Sequence, residues 1–387
     1  MTEWQTVRLG EIVKTNQSTY SPKENWQFVN YLDTGNITMN KIDEIQRINS
    51  AKDKLPSRAR RKVKTNSIIY STVRPNQLHY GIIKKQPDNF LVSTGFTVID
   101  VNYDKAVPDF IYYSLTKQEV TEQLQAIAEQ SVSAYPSLKP SDIENLELML
   151  PDKKTQDRIV AILSSIDEKI KENSAINNNL EQQAQAIYQQ MFIDNARSDW
   201  AEGTLSDIAD ITMGQSPSGS SYNEDGTGTI FFQGRAEFGF RFPSVRLYTT
   251  EPKRMARSND TLMSVRAPVG DLNVAHSDCC IGRGLAAIHS KSNHQSFVLY
   301  TMFSLKKQLD VFNGEGTVFG SINRNSLNDM PILIPSDDIG DEFERIVAPM
   351  DLTIRNNYDE ICRLRDIRDT LLPRLMSGEL NVSDIDI

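Results

Sequence analysis

From Ile159 onward the apolar positions of the chain settle into a regular spacing. They fall at Ile159, Leu163, Ile166, Ile170, Leu180, Ala184, Ile187 and Met191, a heptad seam interrupted by Asn173 and Asn177. A second seam runs through Phe343, Val347, Met350, Ile354, Asn357, Ile361, Leu364, Leu371 and Leu375, with Arg368 its one charged position. Each predicts a helix of about 40 residues, roughly 60 Å long. Ahead of each seam the pattern changes to short β-rich runs, such as Ser67 to Val73 and Phe96 to Val101, punctuated by Gly, Pro and Asn. Helical spacing returns there only at Phe110 to Leu124 and Phe297 to Leu309.

That alternation is written twice. Trp4, Leu9, Glu11 and Ile12 recur as Trp200, Leu205, Asp207 and Ile208, an offset of 196. Thr72-Val73-Arg74 matches Ser264-Val265-Arg266 at an offset of 192, and Gly95-Phe96 with Ile99 matches Gly284-Leu285 with Ile288 at 189. Ser137-Leu138 through Leu150-Pro151 matches Ser321-Ile322 through Ile334-Pro335 at 184. A repeat this long makes two domains rather than a solenoid. The expected fold is α/β (α+β): mixed domains at 1–150 and 197–335, spacer helices at 151–196 and 336–380, and a tail at 381–387.

The matching seams predict that the helices pair as an antiparallel coiled coil about a pseudo-twofold axis, through Ile166, Ile170, Asn173, Leu180, Met350, Ile354, Asn357, Ile361 and Leu364. Asn173 and Asn357 then face each other at the axis, Ile170 meets Ile361, Ile166 meets Leu364, and Asn177 meets Ile354. A polar residue in such a seam commonly fixes register. The helices would act as a spacer between the globular domains.

Charge changes the picture only through its distribution. The net charge is −9, yet residues 336–387 hold 13 Asp+Glu against 6 Lys+Arg, which leaves the rest nearly neutral with room for local basic faces. There is no apolar run of about 18 residues and no signal-like start, so a soluble, non-membrane, cytoplasmic protein is expected. The three cysteines, Cys279, Cys280 and Cys362, do not read as a disulfide framework and point to a reducing compartment.

Motifs for catalysis are missing. There is no phosphate-binding G-x-x-x-x-G-K-[ST] loop, no third glycine beside Gly282-Arg283-Gly284 or Gly226-Thr227-Gly228, and no Asn-Pro-Pro-aromatic methyltransferase motif. Asp152 with Asp167-Glu168-Lys169 falls on a helix rather than the strand a nuclease needs. His276 with Cys279 and Cys280 reads as a buried strand before it reads as a zinc site. No catalytic residue, metal or bound cofactor is expected.

What remains is Arg, Lys, Asn and Gln. Arg58, Arg60, Arg61, Lys62 and Lys64 form a dense cationic run, and Arg74, Asn76 and Gln77 close a strand. The second domain offers Gln233, Arg235, Arg241, Arg246, Arg266 and Arg283, with Lys253, Arg254 and Arg257 beside them. Lys and Arg neutralise phosphates, while bidentate Arg, Asn or Gln discriminates base edges. A solvated charged face explains any single one of these residues equally well. Arg74 and Arg266 stand out because the repeat aligns them.

The order of domain, long helix, domain, long helix resembles the specificity subunit of a type I restriction-modification system. So do the strings Ser57-Arg58-Ala59-Arg60-Arg61, Ser71-Thr72-Val73-Arg74-Pro75, Met213-Gly214-Gln215-Ser216-Pro217-Ser218-Gly219, Phe232-Gln233-Gly234-Arg235, Ser264-Val265-Arg266-Ala267-Pro268-Val269-Gly270 and Leu372-Pro373-Arg374-Leu375-Met376-Ser377-Gly378-Glu379-Leu380. The resemblance implies two target-recognition domains, each reading half of an asymmetric, interrupted double-stranded DNA sequence. It implies two docked modification (methyltransferase) subunits that bind S-adenosylmethionine and methylate adenine, joined by restriction/translocase subunits that use ATP and Mg. Residues 216 to 257 find no counterpart in the first domain, so the half-sites should differ. Two alternatives stay open: the specificity chain of a simpler system with a fused methyltransferase-nuclease partner, and a protein-interaction scaffold without a DNA role.

Overall fold

A computed structural model describes residues 4–131, 135–314 and 320–382, so the expected tail lies outside them from residue 383. The chain forms two compact units, residues 1–171 with 361–387, and residues 172–360. Each unit therefore includes a stretch of both long helices, Lys153–Tyr188 and Asp337–Met376. Among the described residues no helix is long and apolar enough to cross a membrane.

In the first unit Val13–Thr15, Phe96–Val101, Ile68–Ser71 and Tyr80–Ile82 form an antiparallel sheet in that order. Its central strands Phe96–Val101 and Ile68–Ser71 are short, rich in Ile, Val, Phe and Tyr, and buried along nearly their whole length, while the edge strand Val13–Thr15 exposes Lys14. One face meets Phe110, Ile111 and Leu124 of the helices Pro108–Leu115 and Gln118–Glu129. Ile69, Val98 and Phe96 pack with Leu32, Phe90 and Val92 of a second sheet, ordered Gln46–Asn49, Phe28–Leu32, Phe90–Ser93, Ala59–Lys62. Gln5–Arg8 pairs with Glu147–Leu150 and brings the chain to the first long helix.

The second unit repeats this plan. Ala209–Met213, Leu285–Ser290, Thr261–Ser264 and Leu272–Val274 form the first sheet, and Ala201–Thr204 pairs with Pro331–Ile334. The second sheet runs Tyr222–Asn223, Leu247–Thr249, Thr229–Phe232, Cys279–Ile281, Met255–Ala256. Its four later strands match those of the first unit, down to one parallel pair in each, Phe90–Ser93 with Phe28–Leu32 and Cys279–Ile281 with Thr229–Phe232. Residues 216–257, without a counterpart in sequence, thus have one in topology. Only Tyr222–Asn223 is added.

Strand register corrects one alignment. Ser71 pairs with Phe96 and Ser264 with Leu285, so Ser264 is the equivalent of Ser71 and the local offset is 193, not 192. The bonds that follow agree. Thr72 N–H donates to Gly95 O and Val265 N–H to Gly284 O, while Arg74 N–H donates to Pro136 O and Ala267 N–H to Gly320 O. Arg74 is therefore equivalent to Ala267, and Arg266 to Val73. The two arginines do not occupy the same place, although Ser/Thr-Val-Arg reads alike in both copies.

The helices pair antiparallel inside each unit. In the second, Asn177 donates to the Ile354 carbonyl at 3.2 Å, as the seam predicts. Asn357 donates to Asn177 Oδ1 at 2.8 Å, and Asn173 to Glu360 Oε2 at 2.7 Å. Asn173 and Asn357 thus each find another partner and are not an axial pair: Asn173 takes the charge-assisted bond to the Glu360 carboxylate, and Asn357 bonds Asn177. Leu180 and Met350 pack around Ala184, Tyr188, Val347 and Ile354. In the first unit Leu163 packs with Leu375 and Met376, and Arg368 is 3.0 Å from Asp167. That ion pair accounts for the charged position in the seam. Ile361 is buried, and Ile166, Ile170 and Leu364 are half-buried.

Candidate nucleic-acid interface

Four loops leave the sheet ends of the second unit and converge. The loop after Met213 is tied by Gly214 N–H to Leu285 O at 2.9 Å and by Gln215 N–H to Ile281 O at 2.9 Å. The loop after Phe232 meets the Gly282–Gly284 turn, where Gly282 N–H donates to Phe232 O at 2.8 Å. Glycine is needed here for space: a Cβ on Gly282 would stand 2.9 Å from Gln233 Cα, one on Gly284 2.9 Å from Gln233 O, and one on Gly214 would overlap the Gly282 carbonyl. Val265 N–H donates to Gly284 O at 2.9 Å, bringing Arg266 to the same corner, and Arg283 N–H donates to Ser216 Oγ at 3.2 Å. Gln215, Gln233, Arg266 and Arg283 are all exposed there.

The side chains divide by partner. Arg266 and Arg283 show no carboxylate partner among the described residues, whereas Arg235 pairs with Asp271, and Arg246 with Glu237 at 3.0 Å and Glu224 at 3.3 Å. The hydrogen bond that Arg246 donates to Glu237 holds its guanidinium more firmly protonated than usual. Arg241, grouped on sequence with the DNA contacts, is only 4% exposed. It lies 3.0 Å from Glu181 and 3.4 Å from Asp351, so it has no free face for a phosphate or a base.

Parallel-strand register places Asp33 and Thr34 where the second unit has Gln233 and Gly234, and Thr94 where it has Arg283. Thr94 N–H donates to Arg58 O at 2.9 Å, which sets exposed Arg58 beside this turn. Burial raises the Asp33 carboxyl, but Thr34 N–H at 2.9 Å, Tyr31 OH at 3.0 Å, a Ser93 hydrogen bond and the Arg58 charge outweigh it and keep Asp33 below its ordinary value. Arg60 is exposed on its strand, while Arg61 is half-buried with its Nε unpartnered, and burial lowers its guanidinium. Lys62 is bonded to Glu24 and lies over Trp26, and Lys64 is 3.6 Å from Asp100. Arg74, Asn76 and Gln77 are exposed; Arg74 lies over the Tyr135 ring at 5.1 Å, and the Asn76 backbone N–H donates to Gln125. Gln215, Ser216, Asp33 and Thr94 were not singled out on sequence as candidate contacts. The signal for Gln215, Ser216 and Thr94 was the nearby glycine, Gly214 or Gly95, and Asp33 has no glycine beside it.

Neither set of groups suggests catalysis. Asp167 is held by Tyr113 at 2.8 Å and by Arg368, and Cys279 and Cys280 are buried in a strand. Among the described residues no three His, Cys, Asp or Glu side chains group as metal ligands. An unpaired Arg can reach both acceptors of a guanine edge and an unpaired Gln both groups of an adenine edge, and these corners offer both side chains.

The family model described as type I restriction modification DNA specificity domain matches residues 1–182 and again 197–361. The chain belongs to that family. It is similar to the putative type I restriction enzyme MjaX specificity subunit of Methanocaldococcus jannaschii, at 28% identity over 98% of this chain and 94% of the relative. It is similar to the type I restriction enzyme HindI specificity subunit of Haemophilus influenzae, at 26% identity over 98% of this chain and 100% of the relative. In fold it resembles the crystal structure of a type I restriction-modification S subunit from M. genitalium, with a TM-score of 0.63 at 16% identity over 97% and 96% of the two chains. The chain is thus a DNA sequence-specificity subunit, the non-catalytic recognition component of a type I restriction-modification system.

Proposed function

We propose that this specificity subunit reads a bipartite, asymmetric DNA target, one half-site with the loop ends of each unit. Residues 1–150 and 197–335 act as the recognition domains, and residues 151–196 and 336–380 as the helices that set the gap. Two methyltransferase subunits that bind S-adenosylmethionine dock on the chain, and restriction subunits using ATP and Mg join them in the cytoplasm. The observation that carries this reading is the pair of equivalent loop corners with different free side chains: Arg266, Arg283, Gln215 and Gln233 in one, Arg58 and Thr94 in the other. A shared frame with unlike contacts suits unlike half-sites.

The test is DNA binding and methylation by the chain with and without its cognate modification subunits. The complex should methylate one interrupted motif and bind duplex with a steep negative dependence on salt, because contact with phosphates releases counterions. The chain alone should transfer no methyl group. Salt-independent binding, or no motif in the complex, would favour a protein scaffold instead.

A further inference from the structure

The second unit carries a polar helix face that base reading does not use. Asp351, Arg355 and Asp359 recur every fourth residue and share one side of the long helix. Asp351 accepts a hydrogen bond from Tyr300 at 2.9 Å and faces Arg241, whose guanidinium donates to Tyr300 OH at 3.1 Å. Glu181, on the other long helix, is 3.0 Å from the same guanidinium but is not aligned for a hydrogen bond. Arg355 donates to Asn259 Oδ1 at 2.6 Å and to the His276 carbonyl, and Asp359 is 2.7 Å from the His276 ring.

The groups gripped this way, Arg241, Asn259 and His276, lie within residues 197–335, the domain proposed above to read the second half-site. Arg241 O accepts from Val274 N–H at 2.8 Å, and Gly239 O from Asn273 Nδ2 at 2.9 Å, so residues 239–241 are fastened to helix and sheet edge together. This segment follows closely on the loop that displays Gln233. In the first repeat Asp167 and Tyr113 stand where Asp351 and Tyr300 do, but the arginine on Asp167 is Arg368 of the helix rather than a recognition-loop residue. The position of Arg355 holds an exposed Lys171, and that of Asp359 holds Ala175, which has no carboxylate.

We propose that Arg241 and Arg355 are positioning residues for one half-site only, fixing the second unit's reading loops on the long helices without touching a base. This rests on the function proposed above. The test uses the full chain with its modification subunits and follows methylation of duplexes that carry single-base changes in either half-site. Arg355→Met should lower discrimination by about tenfold, the effect of losing charge-assisted hydrogen bonds. The loss should fall in the half-site that Arg283→Ala also relaxes, and the other half-site should be read as before. Arg355→Lys should restore part of the discrimination, and Arg241→Lys, which keeps a cation between Glu181 and Asp351, should act in the same direction as Arg355→Met. Unchanged discrimination in folded Arg355→Met, or equal loss at both half-sites, would overturn the proposal. A wild-type complex without a bipartite motif would refute the function itself instead.

Discussion

The two sheets of the first unit have counterparts in the second unit, yet the loops at the ends of their strands carry different chemistry. Where one presents Thr94, Val73 and Asp33, the other presents Arg283, Arg266 and Gln233. The attachments differ as well. The second unit ties Arg241, Asn259 and His276 to the long helix through Asp351, Arg355 and Asp359, while the first closes its tyrosine–aspartate pair with a helix arginine. Short apolar strands and glycine crossings fix a frame, and the frame leaves its loop ends free to differ in chemistry.

The helix pairing inside the two units offers the sharpest test of that contrast. In the first unit it rests on Leu163, fully buried with Leu375, and in the second on Asn177, bonded to Ile354 and Asn357. Leu163→Ala should cost about 2–5 kcal/mol through the cavity it leaves. Asn177→Ala should cost about 1–3 kcal/mol, since it strands two polar groups. Denaturant unfolding of each variant measures both, and equal small losses would mean that the seams do not hold the helices.

Glycine crossing comes next. Gly214→Ala places a Cβ on the Gly282 carbonyl; the carbonyl is backbone and the Cβ is fixed by its own backbone, so neither can swing aside. About 1–3 kcal/mol of destabilisation is expected, as for other overpacking. Gly234→Ala has nothing within 4 Å and an extended backbone, and should be near neutral. If thermal unfolding shifts equally for the two, the crossing is not tight.

The smallest effect is on pH dependence. Burial pushes the carboxyls of Glu181 and Asp351 above their ordinary 4.5 and 3.8, with Arg241 opposing. A carboxyl raised in the folded state keeps its proton there after the unfolded chain has released it. Its contribution is present below the unfolded value and is lost as pH rises through the raised folded one. Asp33 of the first unit, held low, runs the other way: its contribution is present above 3.8 and is lost as pH falls through its lower folded value. Acidification from neutral pH toward 4.5 should therefore raise the unfolding midpoint of the second unit, and Glu181→Gln should flatten that rise. An unaltered slope in the variant would contradict the assignment.

Much of the frame was legible in the sequence. The seams gave two long helices, the repeat gave two mixed units, and the family resemblance gave DNA recognition. What stayed hidden depended on partners distant in the chain. Arg241 looked like the other arginines because Glu181 and Asp351 come from two other elements. Arg368 looked like a fault in a seam because Asp167 is the reason for it. Arg74 and Arg266 looked equivalent because both follow Ser/Thr-Val, and only strand register reveals the one-residue shift. Residues 216–257 kept their topology while losing their sequence, as a short-stranded sheet can when alternate positions stay apolar.

The most direct measurement is the methylated motif produced by the complex with the wild-type chain and with Arg283→Ala, Arg266→Ala and Arg58→Ala. A lost bidentate base contact removes about 1–3 kcal/mol of discrimination at one position. Arg283→Ala and Arg266→Ala should relax positions in one half-site, and Arg58→Ala should leave that half-site intact while weakening the other. A motif unchanged by all three, or relaxed at both halves by any one of them, would contradict the reading of each half-site by its own loop corner.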